Sequence, residues 1–216
     1  QLRPPELRPT RIPSMNATTL TIRRCSGATI APHLDDIARL RMVVFREWPY
    51  LYDGDAAYEA GYLQTYVASP RSVVVLAFDG GAVVGASTGL PMADESQAFR
   101  EPLERAGQDV GSVFYCGESV LLPQYRGLGL GHRFFDEREA HARSLGGFRW
   151  SAFCAVDRSD GDPRRPAEHR GNEAFWRKRG YRPAADLGAS LPWNEVGEGE
   201  VMHTLSFWLR PLEDAR

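Results

Sequence analysis

Three glycines at alternate positions follow an apolar run and precede a run with helical spacing. The apolar run stops before Pro123, the glycines are Gly127, Gly129 and Gly131, and the helical spacing starts at Leu130. This order predicts a strand, a tight turn and a helix. Free main-chain N–H groups and the positive end of the helix dipole then point into the turn. A turn of this kind can hold a phosphate or a pyrophosphate.

The spacing of the glycines narrows the choice of phosphate ligand. No Gly-Lys-Ser/Thr follows them, so the turn is not a Walker loop. A dinucleotide fingerprint needs Gly-x-Gly-x-x-Gly early in a βαβ unit, whereas this turn follows several predicted strands. The pattern Arg126-x-x-Gly129-x-Gly131 fits a third type of phosphate-binding loop. The same spacing also occurs in a second register, Gln124-x-x-Gly127-x-Gly129. We favour the Arg126 register because its last glycine abuts the helix; a strand-to-helix turn without a ligand is the alternative.

Composition excludes several classes of protein. The chain has 216 residues, 43% of them hydrophobic and 25% charged, which suits one large or two small globular domains. A net charge of −2 gives no electrostatic reason to expect nucleic acid. The longest apolar run, 73–78, is too short to cross a membrane. The cysteines Cys25, Cys116 and Cys154 are widely spaced, which predicts no metal site and favours a reduced, cytoplasmic setting.

Apolar periodicity predicts a mixed α/β sheet in one domain. We expect strands over 18–25, 72–78, 82–90, 111–122, 148–156, 182–189 and 201–209. We expect helices over about 32–48, 56–67, 130–145 and 172–179, and an inserted helix or lid within 93–108. Residues 1–17 are rich in proline and arginine and predict a flexible arm. A loop is expected to hold Trp193, Asn194 and Glu195.

Two motifs carry a resemblance to a known family. Leu121-x-Pro123-x-Tyr125-Arg126-Gly127-x-Gly129-Leu130-Gly131 resembles the acetyl-CoA loop of the GCN5-related N-acetyltransferases (GNAT). Asn172-x-x-Phe175-Trp176-Arg177-Lys178-Arg179-Gly180-Tyr181 is similar to the terminal helix of that family and its Gly-Phe ending. The resemblance implies one GNAT-like domain over 18–210. It also implies a central twisted sheet of six to seven strands, flanked by helices, whose middle strands splay apart.

The resemblance implies acetyl-CoA as the acyl donor, held in the wedge between the strand that ends at Leu121 and the strand over 148–156. The main chain of 119–121 would pair with the pantetheine arm, and the N–H groups of 127–132 would hold the pyrophosphate. The implied donor-binding residues are Ser119, Val120, Leu121, Arg126, Gly127, Leu128, Gly129, Leu130, Gly131, His132, Asn172 and Trp176.

Acetyl transfer to an amine requires that the amine lose a proton and that the thioester oxygen meet hydrogen-bond donors. Glu118 is the candidate base because it lies in an otherwise uncharged part of a strand. It could equally face solvent, since a one-residue slip or a bulge moves a side chain to the other face. Tyr115 or a chain of waters would then take its role. The family often uses direct attack, so no cysteine nucleophile is required.

The candidate for the general acid departs from the family pattern. The family commonly has a tyrosine where this chain has Trp176, and an indole N–H does not serve as an ordinary proton donor. Another tyrosine could substitute, the thiolate could leave unaided, or the chain could be an inefficient catalyst. His169 is a further candidate base, although a lone histidine in a charged loop is more often merely solvated.

These residues predict an N-acetyltransferase that acts on the amine of a small molecule or a peptide. The alternative is an acyl-CoA-binding module without efficient catalysis, which the missing tyrosine motivates. Tyr50, Tyr52 and Asp53, with Glu118 and a lid around Phe99, are the candidates for an acceptor pocket. Packing between two helices is the other interpretation of the two tyrosines. Neither nucleic acid nor a membrane is expected as a partner, and a homodimer is left open.

Overall fold

The computed structural model describes residues 20–212, and a seven-stranded sheet forms its centre. The predicted arm over 1–17 lies outside the described residues. The strands are β1 (Leu20–Cys25), β2 (Val73–Asp79), β3 (Ala82–Pro91), β4 (Val113–Leu121), β5 (Trp150–Val156), β6 (Arg182–Glu195) and β7 (Gly199–Pro211). Their order in the sheet is β1-β2-β3-β4-β5-β7-β6. Only β4 and β5 run parallel among the described pairs, so the sheet is mixed, as predicted.

Within residues 20–212, five α-helices cover the two faces of the sheet. They are α1 (Leu34–Phe45), α2 (Ala56–Ala68), α3 (Gln97–Arg105), α4 (Leu130–Leu145) and α5 (Glu173–Lys178). Side chains of β2 alternate between two apolar clusters, one beneath α1–α3 and the other beneath α4 and α5. Both faces of β2 are buried, which explains why its sequence is a continuous apolar run. No helix within 20–212 is long and apolar enough to cross a membrane.

The sheet splits in its middle. β4 pairs with β5 only from Val113 to Tyr115. Beyond Tyr115, β4 stays bonded to β3 and β5 stays bonded to β7, so the two strands diverge. A bulge also shifts the β3–β4 register, because Ser119 pairs with Ser87 while Cys116 pairs with Gly89. The divergence opens a wedge, and the bulge decides which face the side chains near Glu118 take.

One expectation about local structure, the loop at 193–195, is wrong, and the inserted helix within 93–108 is confirmed as α3 without the lid that was its alternative. Residues 193–195 belong to β6, which continues to Glu195 because its main chain stays paired with β7 as far as Gly199. The segment over 93–108 is not a lid, because α3 buries Phe99 and Leu103 in the core. The ring of Phe99 packs 5.0 Å from that of Tyr115. An amphipathic surface helix shows the same spacing in sequence as a lid does, so the pattern alone could not separate them.

Candidate functional site

A cleft of about 530 Å³ occupies the wedge between the diverging strands. Gly117, Glu118 and Ser119 of β4 line one side of it, and Phe153 and Cys154 of β5 line the other. Helices α4 and α5 line it from one face of the sheet. The cleft therefore combines a strand edge, a helix N-terminus and an apolar wall.

The edge of β4 that faces the cleft offers unpaired main-chain groups. From Cys116 to Leu121 this strand bonds to β3 on one side, and no described strand pairs with its other side. An extended ligand with amide groups can add to such an edge as an extra strand. Ser119 and Leu121 line the cleft, whereas the Val120 side chain is buried in the core on the opposite face, as strand alternation requires.

The glycine-rich turn leads from β4 into α4 with its N–H groups unused. Among the described residues, the N–H groups of Gly127, Leu128 and Gly129 donate to no acceptor, and the first intrahelical bond starts at Arg133. Gly127 and Gly129 have φ angles of 78° and 82°, and a Cβ at either position would meet open space. Unused donors, open space and a helix N-terminus together fit an anion such as a pyrophosphate.

Arg126 and His132 stand at the two ends of this turn, and both side chains have protein partners. Arg126 Nε donates to the Leu121 carbonyl at 3.2 Å, and its Nη2 pairs with Glu47 at 3.0 Å. Arg126 therefore braces the turn against the end of β4. The His132 ring packs against Phe175 of α5 at 4.8 Å, so it joins the two helices beside the cleft.

Helix α5 supplies an apolar wall and one amide. Asn172 precedes the helix, makes no capping bond with its side chain and lines the cleft. The ring of Trp176 lines the cleft too, packed 4.9 Å from Phe153 and 5.1 Å from Trp208. No hydroxyl of α5 reaches the cleft, because Trp176 occupies the place where a tyrosine was expected from the resemblance.

Glu118 lines the cleft, and its carboxylate is also held by a buried cluster. Its Oε2 accepts from Arg41 Nη1 at 2.8 Å and from the Tyr62 hydroxyl at 2.9 Å. Its Oε1 has no partner among the described residues and is buried. Arg41 also pairs with Glu59, so one guanidinium is shared by two carboxylates. The bonds to Oε2 therefore fix the orientation of the Glu118 carboxylate, while Oε1 is left without a protein hydrogen bond among the described residues.

Tyr115 does not stand in for Glu118 in the described structure. Its side chain is buried, lies outside the residues that line the cleft, and has a pKa raised well above its usual value by burial. The split in the sheet accounts for the difference, because Tyr115 still pairs with Ala152 of β5, whereas Glu118 lies beyond the point at which the two strands diverge. Because Tyr115 is a core residue away from the cleft, it is not a suitable base.

Of the three predicted acceptor residues, the cleft contains Tyr50 alone. Tyr52 is buried outside it with its hydroxyl donated to Glu59 at 2.9 Å. Asp53 is exposed and forms an ion pair with Arg46. Both lie outside the cleft because the turn after α1 directs them toward α2 and toward solvent. Tyr50 is the one tyrosine among the described lining residues, and burial, with Cys154 and Glu118 nearby, raises its pKa to about 12.

No pattern in the sequence indicates the residues that hold Tyr50 in place. Arg158, which follows β5, donates through Nε to the Pro49 carbonyl at 2.6 Å and through Nη2 to the Tyr50 carbonyl at 2.9 Å. Its Nη2 also pairs with Glu195 at 3.0 Å. Pro49 and Tyr50 lie 109 and 108 positions from Arg158 in the chain, and Glu195 lies 37 positions away, so no local pattern indicates these contacts. His169 and Trp48, whose rings are 6.2 Å apart, line the same end of the cleft.

The arrangement of the strands and helices matches solved acetyltransferase structures. An acetyltransferase from Thermus thermophilus matches with a TM-score of 0.54 and 18% identity, over 91% of this chain and 99% of that one. The chain has the GCN5-related N-acetyltransferase fold. A GCN5-related N-acetyltransferase from Kribbella flavida matches with a TM-score of 0.52 and 18% identity, over 89% and 97% of the two chains.

A third structure with this GNAT fold contains a ligand. NAA60 from Arabidopsis thaliana, solved in complex with acetyl-CoA, matches with a TM-score of 0.57 and 12% identity, over 89% of this chain and 98% of that one. No protein-family model matches the chain, and no curated protein matches it either. At these identities the similarity establishes the fold, while the site has to be argued from this chain's own residues.

Proposed function

We propose that residues 18–210 form an acetyl-CoA-dependent N-acetyltransferase that acts on the amine of a small molecule or a peptide. One observation carries the proposal: the free edge of β4 lines the cleft and continues into the glycine turn with its unused N–H groups, and Gly131 at the end of that turn lines the same cleft. A ligand with an amide-containing arm and a pyrophosphate meets both features at once. The acetyl-CoA complex of a protein with the same fold supports this choice of donor.

Each part of the donor would meet a different part of this chain. The N–H groups of 127–132 would hold the pyrophosphate, and the main chain of Ser119, Val120 and Leu121 would pair with the amides of the pantetheine arm. The Asn172 amide and the Trp176 ring would contact the donor from α5. Bound acetyl-CoA would supply an acyl group activated as a thioester.

Glu118 would take the proton that the acceptor amine loses. Its unpartnered Oε1 belongs to a side chain that lines the cleft, while Arg41 and Tyr62 hold the other oxygen and fix the carboxylate. A base oriented in this way meets the geometric requirement of general base catalysis. Glu118, rather than Tyr115 or His169, is therefore the base in our proposal.

The two cysteines beside the cleft support direct attack by the amine. Cys116 and Cys154 both line it, but burial raises the pKa of each thiol. A thiol is a weak nucleophile compared with a thiolate, so neither residue is suited to form an acyl-enzyme. The attacking nitrogen would instead come from the acceptor itself.

The departing thiolate would receive little help from this chain. Trp176 cannot donate a proton in the ordinary way. Tyr50 has the one phenol among the described lining residues, and a pKa of about 12 makes it a weak acid. We therefore propose slow turnover, limited by the departure of the thiol.

Two measurements test the proposal. Calorimetry with acetyl-CoA should show binding to the purified chain, and a free-thiol assay over a panel of primary amines should identify acceptors that raise thiol release above hydrolysis. Absence of acetyl-CoA binding would reject the proposal altogether. Binding without stimulation by any amine would favour the alternative, an acyl-CoA-binding module.

A further inference from the structure

Arg138 of α4 is a buried cation on the wall of the donor cleft. Its exposed fraction is 2%, and it is among the residues that line the cleft. Its Nη1 donates to the main-chain carbonyls of Glu118 at 3.1 Å and Thr88 at 3.3 Å, beside the β4 bulge. Its Cζ lies 4.6 Å from the centre of the Phe135 ring, and its Nε has no partner among the described residues.

The charge of Arg138 is not balanced, in contrast to that of a second buried arginine nearby. Arg41 contacts the side chain of Glu118 and pairs with two carboxylates, those of Glu118 and Glu59. Among the described residues, no carboxylate lies within 4.0 Å of Arg138. An unpaired buried charge is costly, and carbonyl groups compensate it only in part.

Neighbouring acidic groups are already taken by other cations. Glu139 follows Arg138 in the helix and is buried, but its carboxylate contacts Arg210 at 2.7 Å and Arg179 at 3.4 Å. The Glu118 carboxylate is bound to Arg41. A partner for Arg138 would therefore have to come from a ligand in the cleft.

Only one part of an acyl-CoA suits this position. Arg138 lies seven residues beyond Gly131, which is about 10 Å along the helix axis at about 1.5 Å per residue. The pyrophosphate at the start of α4 is therefore too far away, and the pantetheine arm carries no charge. The acyl group, at the inner end of the arm near the bulge, can carry a carboxylate.

We propose that this cleft prefers an acyl-CoA whose acyl group carries a carboxylate, and that Arg138 is its partner. The inference rests on the proposed function, because it assumes that an acyl-CoA occupies the cleft. Arg138 thereby determines the choice of donor, while its bonds to the Glu118 and Thr88 carbonyls hold the guanidinium in place.

Calorimetry with two donors of nearly the same shape tests the charge preference directly. Malonyl-CoA ends in a carboxylate, and isovaleryl-CoA has two methyl groups in place of the two carboxylate oxygens. We expect malonyl-CoA to bind at least about tenfold more tightly, as is typical when a buried cation gains a charged partner. Equal dissociation constants, or tighter binding of isovaleryl-CoA, would overturn the inference without any need for a variant.

Two variants assign the preference to Arg138. In Arg138→Met the ratio of the two dissociation constants should fall to about one, since removing one partner abolishes a charge pair. Arg210→Met is the matched control: it removes a cation that contacts Glu139 and lies outside the cleft lining, and it should keep the ratio of the unchanged chain. If Arg138 had only a structural role, Arg138→Met would weaken the binding of both donors equally and leave the ratio of dissociation constants unchanged. That result would refute the assignment to Arg138.

The outcome is distinguishable from failure of the proposed function. Free CoA and acetyl-CoA serve as reference ligands, and if neither binds, the proposed function fails. If both bind while malonyl-CoA shows no advantage, only the donor preference fails. Thermal melting of Arg138→Met checks that it folds, and Arg138→Lys, which keeps the charge without the planar fork, provides a second variant with an expected intermediate ratio.

Discussion

The two ends of the cleft are built in different ways. The donor end consists mostly of main chain: the free edge of β4 and the N–H groups around Gly127 and Gly129. The acceptor end consists of side chains from distant parts of the sequence, with Tyr50 on one segment held by Arg158 from another. Main-chain recognition requires a short local pattern, whereas side-chain recognition requires the whole fold.

This difference explains where specificity can change. The donor end can tolerate many side-chain substitutions, provided that the glycines and the strand edge remain. The acceptor end depends on which side chains the fold brings together, such as Trp48, Tyr50 and His169. We therefore expect substitutions at one end to change donor affinity, and substitutions at the other to change turnover.

Replacing Glu118 should give the largest effect, and it should affect turnover without affecting donor binding. We expect Glu118→Gln to lower kcat by about 10²–10⁴-fold, the typical contribution of a general base. The dissociation constant of acetyl-CoA should change little, because the Glu118 side chain is not among the proposed donor contacts. Thiol release with a responsive amine measures the first quantity, and calorimetry measures the second.

Glu59→Gln is the matched control for that variant. Glu59 pairs with the same Arg41 but lies outside the cleft, so its replacement perturbs the buried cluster without removing the proposed base. It should keep most of the rate. Equal losses in the two variants would show that Glu118 acts through the cluster alone.

The buried carboxyl group of Glu95, just before α3, should make the free energy of unfolding depend on pH. Burial raises its pKa from 4.5 to about 7, despite a hydrogen bond from the Ser96 N–H, and Glu118 raises it further. Between these two values the folded chain holds a proton that the unfolded chain has released, so the free energy of unfolding falls as pH rises. The expected fall is about 3 kcal/mol, at 1.36 kcal/mol per pKa unit.

Denaturant unfolding at pH 4.5 and at pH 8 measures this effect. Glu95→Gln should remove the corresponding part of the pH dependence and stabilise the chain at pH 8. Glu104→Gln, at an exposed carboxylate of α3, should leave it unchanged. A Glu95→Gln variant with the same pH dependence as the unchanged chain would contradict the prediction.

The sequence predicted the fold and the strand–turn–helix order of the glycine motif well, because both depend on local patterns. The bounds of α4 agree with the prediction, since Gly129 and Gly146 adopt positive φ angles at its two ends. The face of Glu118 could not be predicted, because a bulge sets it. Tyr52 and Asp53 were misplaced because the turn after α1 gives no indication of the direction of each side chain.

Both buried arginines interrupt an apolar helical face in the sequence. Arg138 stands four residues after Phe134 and four before Ala142, and both of those residues face the core. Arg41 likewise interrupts the apolar face of α1 and turns out to hold Glu118. A charged residue at an apolar helical position therefore deserves the same weight as a motif.

A substitution in the glycine turn should affect the donor end of the cleft and weaken donor binding. Gly129→Ala places a Cβ beside the unused N–H groups at a φ of 82°, and we expect acetyl-CoA to bind about tenfold more weakly as the turn is distorted. Gly146→Ala is the control at the other end of α4, where a φ of 73° and a ψ of 168° make alanine at least as unfavourable. It should lose at least as much stability as Gly129→Ala and keep donor affinity; equal affinity losses would mean that the turn does not bind the donor.

The smallest expected effect is a gain of rate at Trp176. Trp176→Tyr introduces a phenol on the wall formed by α5, where it can donate a proton to the departing thiolate. We expect kcat to rise by up to about tenfold, below the usual range for a fully optimised acid. Trp176→Phe supplies a similar ring without the hydroxyl and separates this gain from the loss of indole packing on Phe153 and Trp208. If both variants turn over at the same rate, departure of the thiol does not limit the reaction, and the acceptor end alone sets kcat.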